Sequence, residues 1–522
     1  MSRRIAVCAH LLLLIVAYGS AGNVAAAQEP AGDLVVGIGV DTTNLEGDMA
    51  TLGQGSPNAN IYERLVRMGS DFSIEPWLAT SWELVDEAAG TWRFELREGV
   101  TLHDGSELTA QDVAWTFDRI ARAGGRNIKA REGGTKVIDD HTIEYTPSEP
   151  NVKIPQQLVH PIFGIMKAGS DPVAAPVGTG PFRFVEYIPD ELLRVERFAD
   201  YWDPDHAAKV ASVTWRYLPD ADARLLALRA GDVDIIQDAP RDQLRLIDDD
   251  PRLAVVASPV GAYEAISFNL DGPPGYQLTQ DPVIRQAVAA GIDREEIVAT
   301  IWQGNAEPGG TIVPPAMLGD AAGLVEGGPE HDPARARQLL EDDGWVAGAD
   351  GVYERDGQRL ELVLISGFPD AAVHRPIPEV IAQQLAEVGV AVEIREVNDY
   401  SETLSAGEGD LWLERGNQND ADPAFLPGFL YISDEAGNPV EYGRWFGPGP
   451  EFDELLLEAR ATADLDRTRE LAAQGLHILI DQTLSVYPLA GLTNLWAVRE
   501  GIGGFEPHPA FVHTDFSTVT KA

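Results

Sequence analysis

This chain is predicted to fold as an α/β protein of more than one domain, on three observations. At 522 residues it is too long for one ordinary core. Strand-like segments recur between turn signals through its first half. In its second half, well-signalled helices alternate with strands in β-α-β order, which favours a substantially parallel sheet.

Taken in order, the first 27 residues are set aside as a secretory signal. Arg3 and Arg4 form a positive start, Ile5 to Tyr18 is a largely apolar run, and Ala25 to Ala27 offers a small-residue cleavage site before Gln28. The run is short for a membrane span. Cys8, the only cysteine, lies inside it, so no disulfide and no lipid-anchor cysteine is expected in the exported chain. "LVVGIGV" (34–40) reads as a buried strand. "TWRFELR" alternates Trp92, Phe94 and Leu96 with Arg93, Glu95 and Arg97, the period-two pattern of a half-buried strand. "HDGS" is turn chemistry, Thr109 and Asp112 make a capping box, and Val113, Phe117 and Ile120 form the buried stripe of the next helix. Strands follow at "HTIEY", "PFRFVEY", "LLRVERF" and "SVTWRYL". After Ala262 the helices lengthen. Asp281 with Pro282, Asp293 with Glu296, and Asp332 with Pro333 mark three helix starts. "RLELVLIS", a helix over 378–388, "AVEIREV" and "DLWL" supply the β-α-β-(α)-β order. Residues 451–482 read as a final helical stretch with no strong breaker except Gly475.

Charge excludes some functions. The chain carries 83 Asp and Glu against 39 Lys and Arg, a formal net charge of −44. Nucleic-acid binding needs a basic footprint, which is missing, and an anionic membrane surface would repel this protein. An acid excess of this size suits a salty medium, where screening relieves self-repulsion.

His103 beside Asp104 resembles the start of a catalytic pair, but no nucleophile elbow, HExxH motif or clustered His/Cys spacing accompanies it. "GTG" at 178–180 lacks the Gly-Lys-Ser/Thr of a phosphate loop and reads as a tight turn. No catalytic residue, metal site or cofactor is expected. A glycosidase-like acid pair is the enzyme alternative, weakened because 83 acids make chance pairs unavoidable.

Residues 78–120, "LATSWELVDEAAGTWRFELREGVTLHDGSELTAQDVAWTFDRI", resemble the signature of the bacterial extracellular solute-binding proteins of family 5, the oligopeptide-, dipeptide- and nickel-binding components of ABC importers. "VGTGPFRFVEY", "YWDPDHAAKVASVTWRYLPDADARLLALRAGDVDII", "ISFNL", "DPVIRQAVAAGIDREEIV" and "DPARARQLLEDDGW" follow in the family's order. The resemblance implies a two-lobed clamp of the periplasmic-binding type (class C, type II-like) with a ligand cleft between the lobes. Lobe I would hold 28–262 plus 490–522 and lobe II 263–489, the chain crossing at "EAISFNL" and again near "SVYPLAGLTNL". Closure would bury a small-molecule or peptide ligand. A monomer, exported and soluble, would then deliver it to ABC permease subunits. Non-peptide solutes (sugars, opine-like conjugates, metal chelates) and a sensor role stay open.

The resemblance also points to ligand-binding candidates. In peptide-binding relatives, an Asp four residues before a Pro pairs with the ligand's amino group. Counting back from Pro423 lands on Asn419, with Asp420 beside it as a substitute if the loop is displaced by one. The Trp common three residues earlier is Gly416, which predicts a wider pocket. Together these departures disfavour a peptide with a free N-terminus. Arg375, with His374 second, stands where relatives place a basic residue for a ligand carboxylate, and Arg415 is a further candidate. Tyr62, Trp412 and Trp445 are candidate pocket aromatics. Asn269 and Asn417 complete the set.

Overall fold

A computed structural model describes residues 32–40, 56–123, 130–172, 174–367, 376–397, 399–433 and 442–522. The expected signal segment, His374 and Arg375 lie outside the described residues.

The architecture is α/β around an eleven-stranded mixed sheet. Two long antiparallel strands, Leu253–Phe268 and Val486–Arg499, run side by side through its middle. On one flank lie, in order, Ile235–Gln237, Asp33–Ile38, Ser212–Tyr217, Leu192–Arg197 and Phe182–Ile188. On the other lie Leu411–Asn417, Glu361–Ser366 and Ala391–Glu396. These last three are mutually parallel, as the β-α-β order predicts, with the helix Pro376–Glu387 between two of them in sequence. The long pair slips register between Ala257 and Val260, between Val260 and Ala262, and between Glu264 and Ala265. Such bulges bend a strand and increase its twist.

A separate four-stranded sheet contains Ala79–Asp86 and Thr91–Leu96. Trp92, Phe94 and Leu96 are buried, as their alternation requires. The helix Ala110–Ala123 covers this sheet through Val113, Phe117 and Ile120, and the Asp112 carboxylate accepts from both the Thr109 N–H (2.9 Å) and its hydroxyl (3.1 Å). Asp281, Asp293 and Asp332 each cap a helix through a side-chain oxygen.

The final helical stretch is two helices, Pro450–Ala461 and Leu465–His477. The break falls at Asp464, whose carboxylate caps the second helix, and not at Gly475. A Cβ at Gly475 would meet Leu456 Cδ2 at 2.3 Å, so this glycine lets the two helices pack closely.

His103 is architecture. Its Nδ1 accepts the Gly178 N–H (3.2 Å), which leaves Nε2 as the donor to the Gly180 carbonyl (2.9 Å). Burial lowers its pKa to about 4 and keeps the ring neutral. The turn it holds presses on the chain before Glu63. Gly180 N–H donates to the Ile61 carbonyl at 3.0 Å, and a Cβ at Gly178 would stand 2.2 Å from that same oxygen. The glycines of "GTG" are therefore required by close backbone approach, not by phosphate.

Candidate solute site at the inter-lobe seam

The site is built from "NIYER" upward. Asn60 ties this segment to the C-terminus: its amide donates to the Thr514 carbonyl (3.1 Å) and its oxygen accepts from Phe516 N–H (2.9 Å). Tyr62 is buried in the core of the N-terminal half, wedged against Gly164 and Gly178. The Glu63 carboxylate accepts from Tyr201 Oη (2.6 Å), Trp77 Nε1 (2.7 Å) and Trp202 Nε1 (2.8 Å). Its pKa is raised because desolvation outweighs these donors. Next along the chain, Arg64 is buried as well, and burial lowers it to about 10. Burial, and after it the Arg64 charge, lower the pKa values of His160, His508 and His513.

Across the seam stands the loop after Leu411–Asn417. The Ala421 N–H donates to the Gln156 carbonyl (3.3 Å), and His513 Nε2 lies 3.4 Å from the Asn419 carbonyl. The Lys153 ammonium reaches the Thr468 hydroxyl. Asp420 is 7% exposed and accepts from Gln418 Nε2 and Asp422 N–H, both at 3.1 Å. Burial, then the neighbouring Asp422 charge, push its pKa well up. Asp422 differs because Lys153 and Arg460 partly offset its burial. Among the described residues, no cation offsets Asp420. Several buried polar atoms here have no hydrogen-bond partner among the described residues: Arg64 Nε and Nη1, Gln156 Oε1, Gln418 Oε1, Asn419 Oδ1 and His513 Nδ1. Unsatisfied buried polar groups are costly, which makes this seam a candidate place for a polar solute.

The sequence candidates divide. Asn419 and Asp420 stand at the seam. Asn417 is exposed at its strand end. Arg415 pairs in register with Glu264, and its charge adds to burial in lowering the pKa of Arg241. Asn269 spends its amide on the Gly407 and Gly409 carbonyls (both 2.9 Å). Trp412 is wholly buried, donates to the Glu408 carbonyl (2.8 Å) and packs edge-on against Tyr400 and Phe446. Trp445 is buried against Gly407, with the Arg444 guanidinium over its ring. The extra room expected at Gly416 is absent: a Cβ there would meet Tyr263 Cε1 at 2.2 Å, because the Tyr263 ring occupies the space.

Arg64 and His513 escaped the sequence reading. The adjacent charges of "YERL" inside an apolar run, and the two histidines of "HPAFVH", are the signals that could have found them. A groove of about 510 Å³ lined by Gln286, His331 and Asp481 shares none of the seam residues. Among the described residues, no group of three or more His, Cys, Asp or Glu side chains is placed to hold a metal, and no helix is long and apolar enough to cross a membrane.

Comparison with known proteins agrees with this architecture. The family model "Bacterial extracellular solute-binding proteins, family 5 Middle" matches residues 73–438. The chain is 27% identical over 479 residues to di/tripeptide-binding protein 1 of Pseudomonas aeruginosa, covering 84% of each. It is 27% identical over 472 residues to the glutathione-binding protein GsiB of Pectobacterium atrosepticum, covering 86% of this chain and 87% of that one. An ABC transporter substrate-binding protein from Sinorhizobium meliloti superposes with a TM-score of 0.75 at 26% identity, over 94% of this chain and all 100% of its own. NikA from Brucella suis, solved with Fe(III)-EDTA, shares the fold at a TM-score of 0.81 and 22% identity, over 94% of this chain and 100% of that one. With the family model spanning most of its length, this chain belongs to the bacterial extracellular solute-binding proteins of family 5.

Proposed function

We propose that this chain is the exported solute-capturing component of an ABC importer and that it takes short peptides or peptide-like solutes. Residues 1–27 serve as its signal. Residues 28–262 with 490–522 form one lobe, 263–489 the other, and the long strand pair with its bulges is the hinge. The loaded monomer docks on a membrane permease. The relatives named for di- and tripeptides and for glutathione favour this solute class.

The observation that carries the reading is Asp420, a buried carboxylate without a counter-cation among the described residues, on the loop that meets the N-terminal half. A peptide ammonium would supply the missing charge, and ionising the carboxylate against it would recover a charge-assisted hydrogen bond. This assigns the amine to Asp420 and leaves Asn419 as a neutral neighbour that accepts an N–H.

Calorimetry with dialanine, trialanine, reduced glutathione and their N-acetylated forms tests it. Free-amine forms should bind at least roughly tenfold more tightly than acetylated ones, and Asp420→Asn should erase that preference. Equal affinity for both forms, or an undiminished preference in Asp420→Asn, would overturn the assignment.

A further inference from the structure

We propose that Gln418 is a positioning residue for solute capture: its side-chain amide turns the Asp420 carboxylate so that Oδ1 is spent inside the loop and Oδ2 is presented to the solute. This deepens the assignment of the solute amine to Asp420 and rests on it.

Gln418 is the first residue past the strand Leu411–Asn417 and is 2% exposed. Its backbone is tied to the long strand pair. The Gln418 N–H donates to the Gly261 carbonyl at 3.0 Å, one step beyond the pairing of Ala262 with Asn417. Gly261 lies within the register slip between Val260 and Ala262, and a Cβ there would stand 2.1 Å from the Pro509 carbonyl oxygen. The root of the loop is therefore held between the bulged strand and the C-terminal segment.

The side chain reaches forward across the loop. Its Nε2 donates to Asp420 Oδ1 at 3.1 Å and to the Asp422 carbonyl at 3.4 Å. The Asp422 N–H donates to the same Oδ1, also at 3.1 Å. Asp422 in turn leads into the helix Phe425–Tyr431: its Oδ1 accepts from Ala424 N–H (3.0 Å) and its carbonyl from Phe425 N–H (3.1 Å). Gln418 thus bridges the start of the loop to its end, with Asp420 in the middle.

Both groups facing the Gln418 amide are acceptors. A flipped amide would set its oxygen against Asp420 Oδ1 and the Asp422 carbonyl, so the NH2 end must face them, and both of its hydrogens are spent there. Both donors to Asp420 fall on Oδ1, and among the described residues no donor reaches Oδ2. A carboxylate held through one oxygen keeps the other for an ammonium. Without Gln418, a single N–H would remain on Oδ1. The terminal torsion of Asp is soft, so the carboxyl could then turn and exchange its oxygens. Holding it in the receiving orientation removes an ordering cost from binding. A solute whose amine is acetylated brings no ammonium to Oδ2 and gains nothing from that orientation. A brace that only stiffened the loop would serve both solutes alike.

Two measurements test this. In the first, calorimetry of trialanine and N-acetyl-trialanine with the full chain is repeated in Gln418→Met. If the methionine variant folds poorly, Gln418→Asn replaces it, because its amide is one methylene too short to span the loop. The ratio of free-amine to acetylated affinity should fall by roughly fivefold. An equal loss for both peptides, or an undiminished ratio, overturns the proposal. The second measurement needs no solute. Urea unfolding midpoints are compared for wild type, Gln418→Met, Asp420→Ala and the double variant. The drop in midpoint caused by Gln418→Met should shrink by roughly half or more in the Asp420→Ala background, where the bond to Oδ1 is already gone. The same drop in both backgrounds overturns the proposal whatever the peptides do. Non-additive midpoints, with no amine preference in wild type, remove the amine from Asp420 and leave Gln418 as the support of that carboxylate.

Discussion

Glu414→Gln isolates one buried charge beside the hinge. Glu414 lies on Leu411–Asn417 opposite Ala265, next to a register slip of the long strand pair. It is 3% exposed, receives the Tyr431 hydroxyl, and leaves Oε2 without a partner among the described residues. Burial raises its pKa from the ordinary 4.5 to about 7, against the lowering by Tyr431. The folded state therefore holds this proton over a range where the unfolded chain has released it. Stability from this group is complete at low pH and falls as pH rises from about 4.5 through about 7. Integrated between roughly pH 5 and roughly pH 8, the loss is about 2.5 kcal/mol. Glutamine keeps an oxygen for Tyr431 and has no proton to lose. Urea unfolding followed by tryptophan fluorescence should show Glu414→Gln gaining about 2.5 kcal/mol on wild type between those two pH values. Taking the difference between variant and wild type removes the like-signed contributions of Glu63, Asp410 and Asp420, whose pKa values are also raised by burial. A wild-type-to-variant difference independent of pH would refute the reasoning.

Two further outcomes follow from the same physics. With a net charge of −44, melting temperature should rise between dilute buffer and molar NaCl, and a flat response would mean that self-repulsion is already relieved. Gly178→Ala forces a Cβ to within 2.2 Å of the Ile61 carbonyl, where backbone must move, and should cost roughly 1–3 kcal/mol in urea unfolding. Gly323→Ala, with nothing within 4 Å of its added Cβ, is the control that should stay close to wild type.

Much of the fold is legible because its determinants are local. The alternation of Trp92, Phe94 and Leu96, and the caps at Asp281, Asp293 and Asp332, are each read within a few residues. The β-α-β order of the second half sets its parallel strands through chain connectivity. The seam is different. Asn60 and Thr514 meet across 454 positions, and His513 reaches the Asn419 carbonyl across 94. No local pattern encodes these contacts, so Tyr62 drew attention although it is buried in the core of the N-terminal half. The Asn419 loop was legible through the family resemblance, but the choice between Asn419 and Asp420 depends on burial and neighbouring charge. Gly416 misled for a similar reason: an absent side chain predicts space, and a cross-strand neighbour, Tyr263, fills it. The helix break at Asp464 was missed because continuous helix-forming residues outweighed a single capping Asp.

The central claim is that the two halves close over a solute held at the seam by Asp420. Small-angle X-ray scattering of the full exported chain, with and without the tightest-binding peptide from the calorimetric panel, tests it most directly. The account predicts a smaller radius of gyration in the loaded protein, with Asp420→Asn remaining at the ligand-free value at the same peptide concentration. Saturating peptide that leaves the scattering of an open, ligand-free protein unchanged would contradict it.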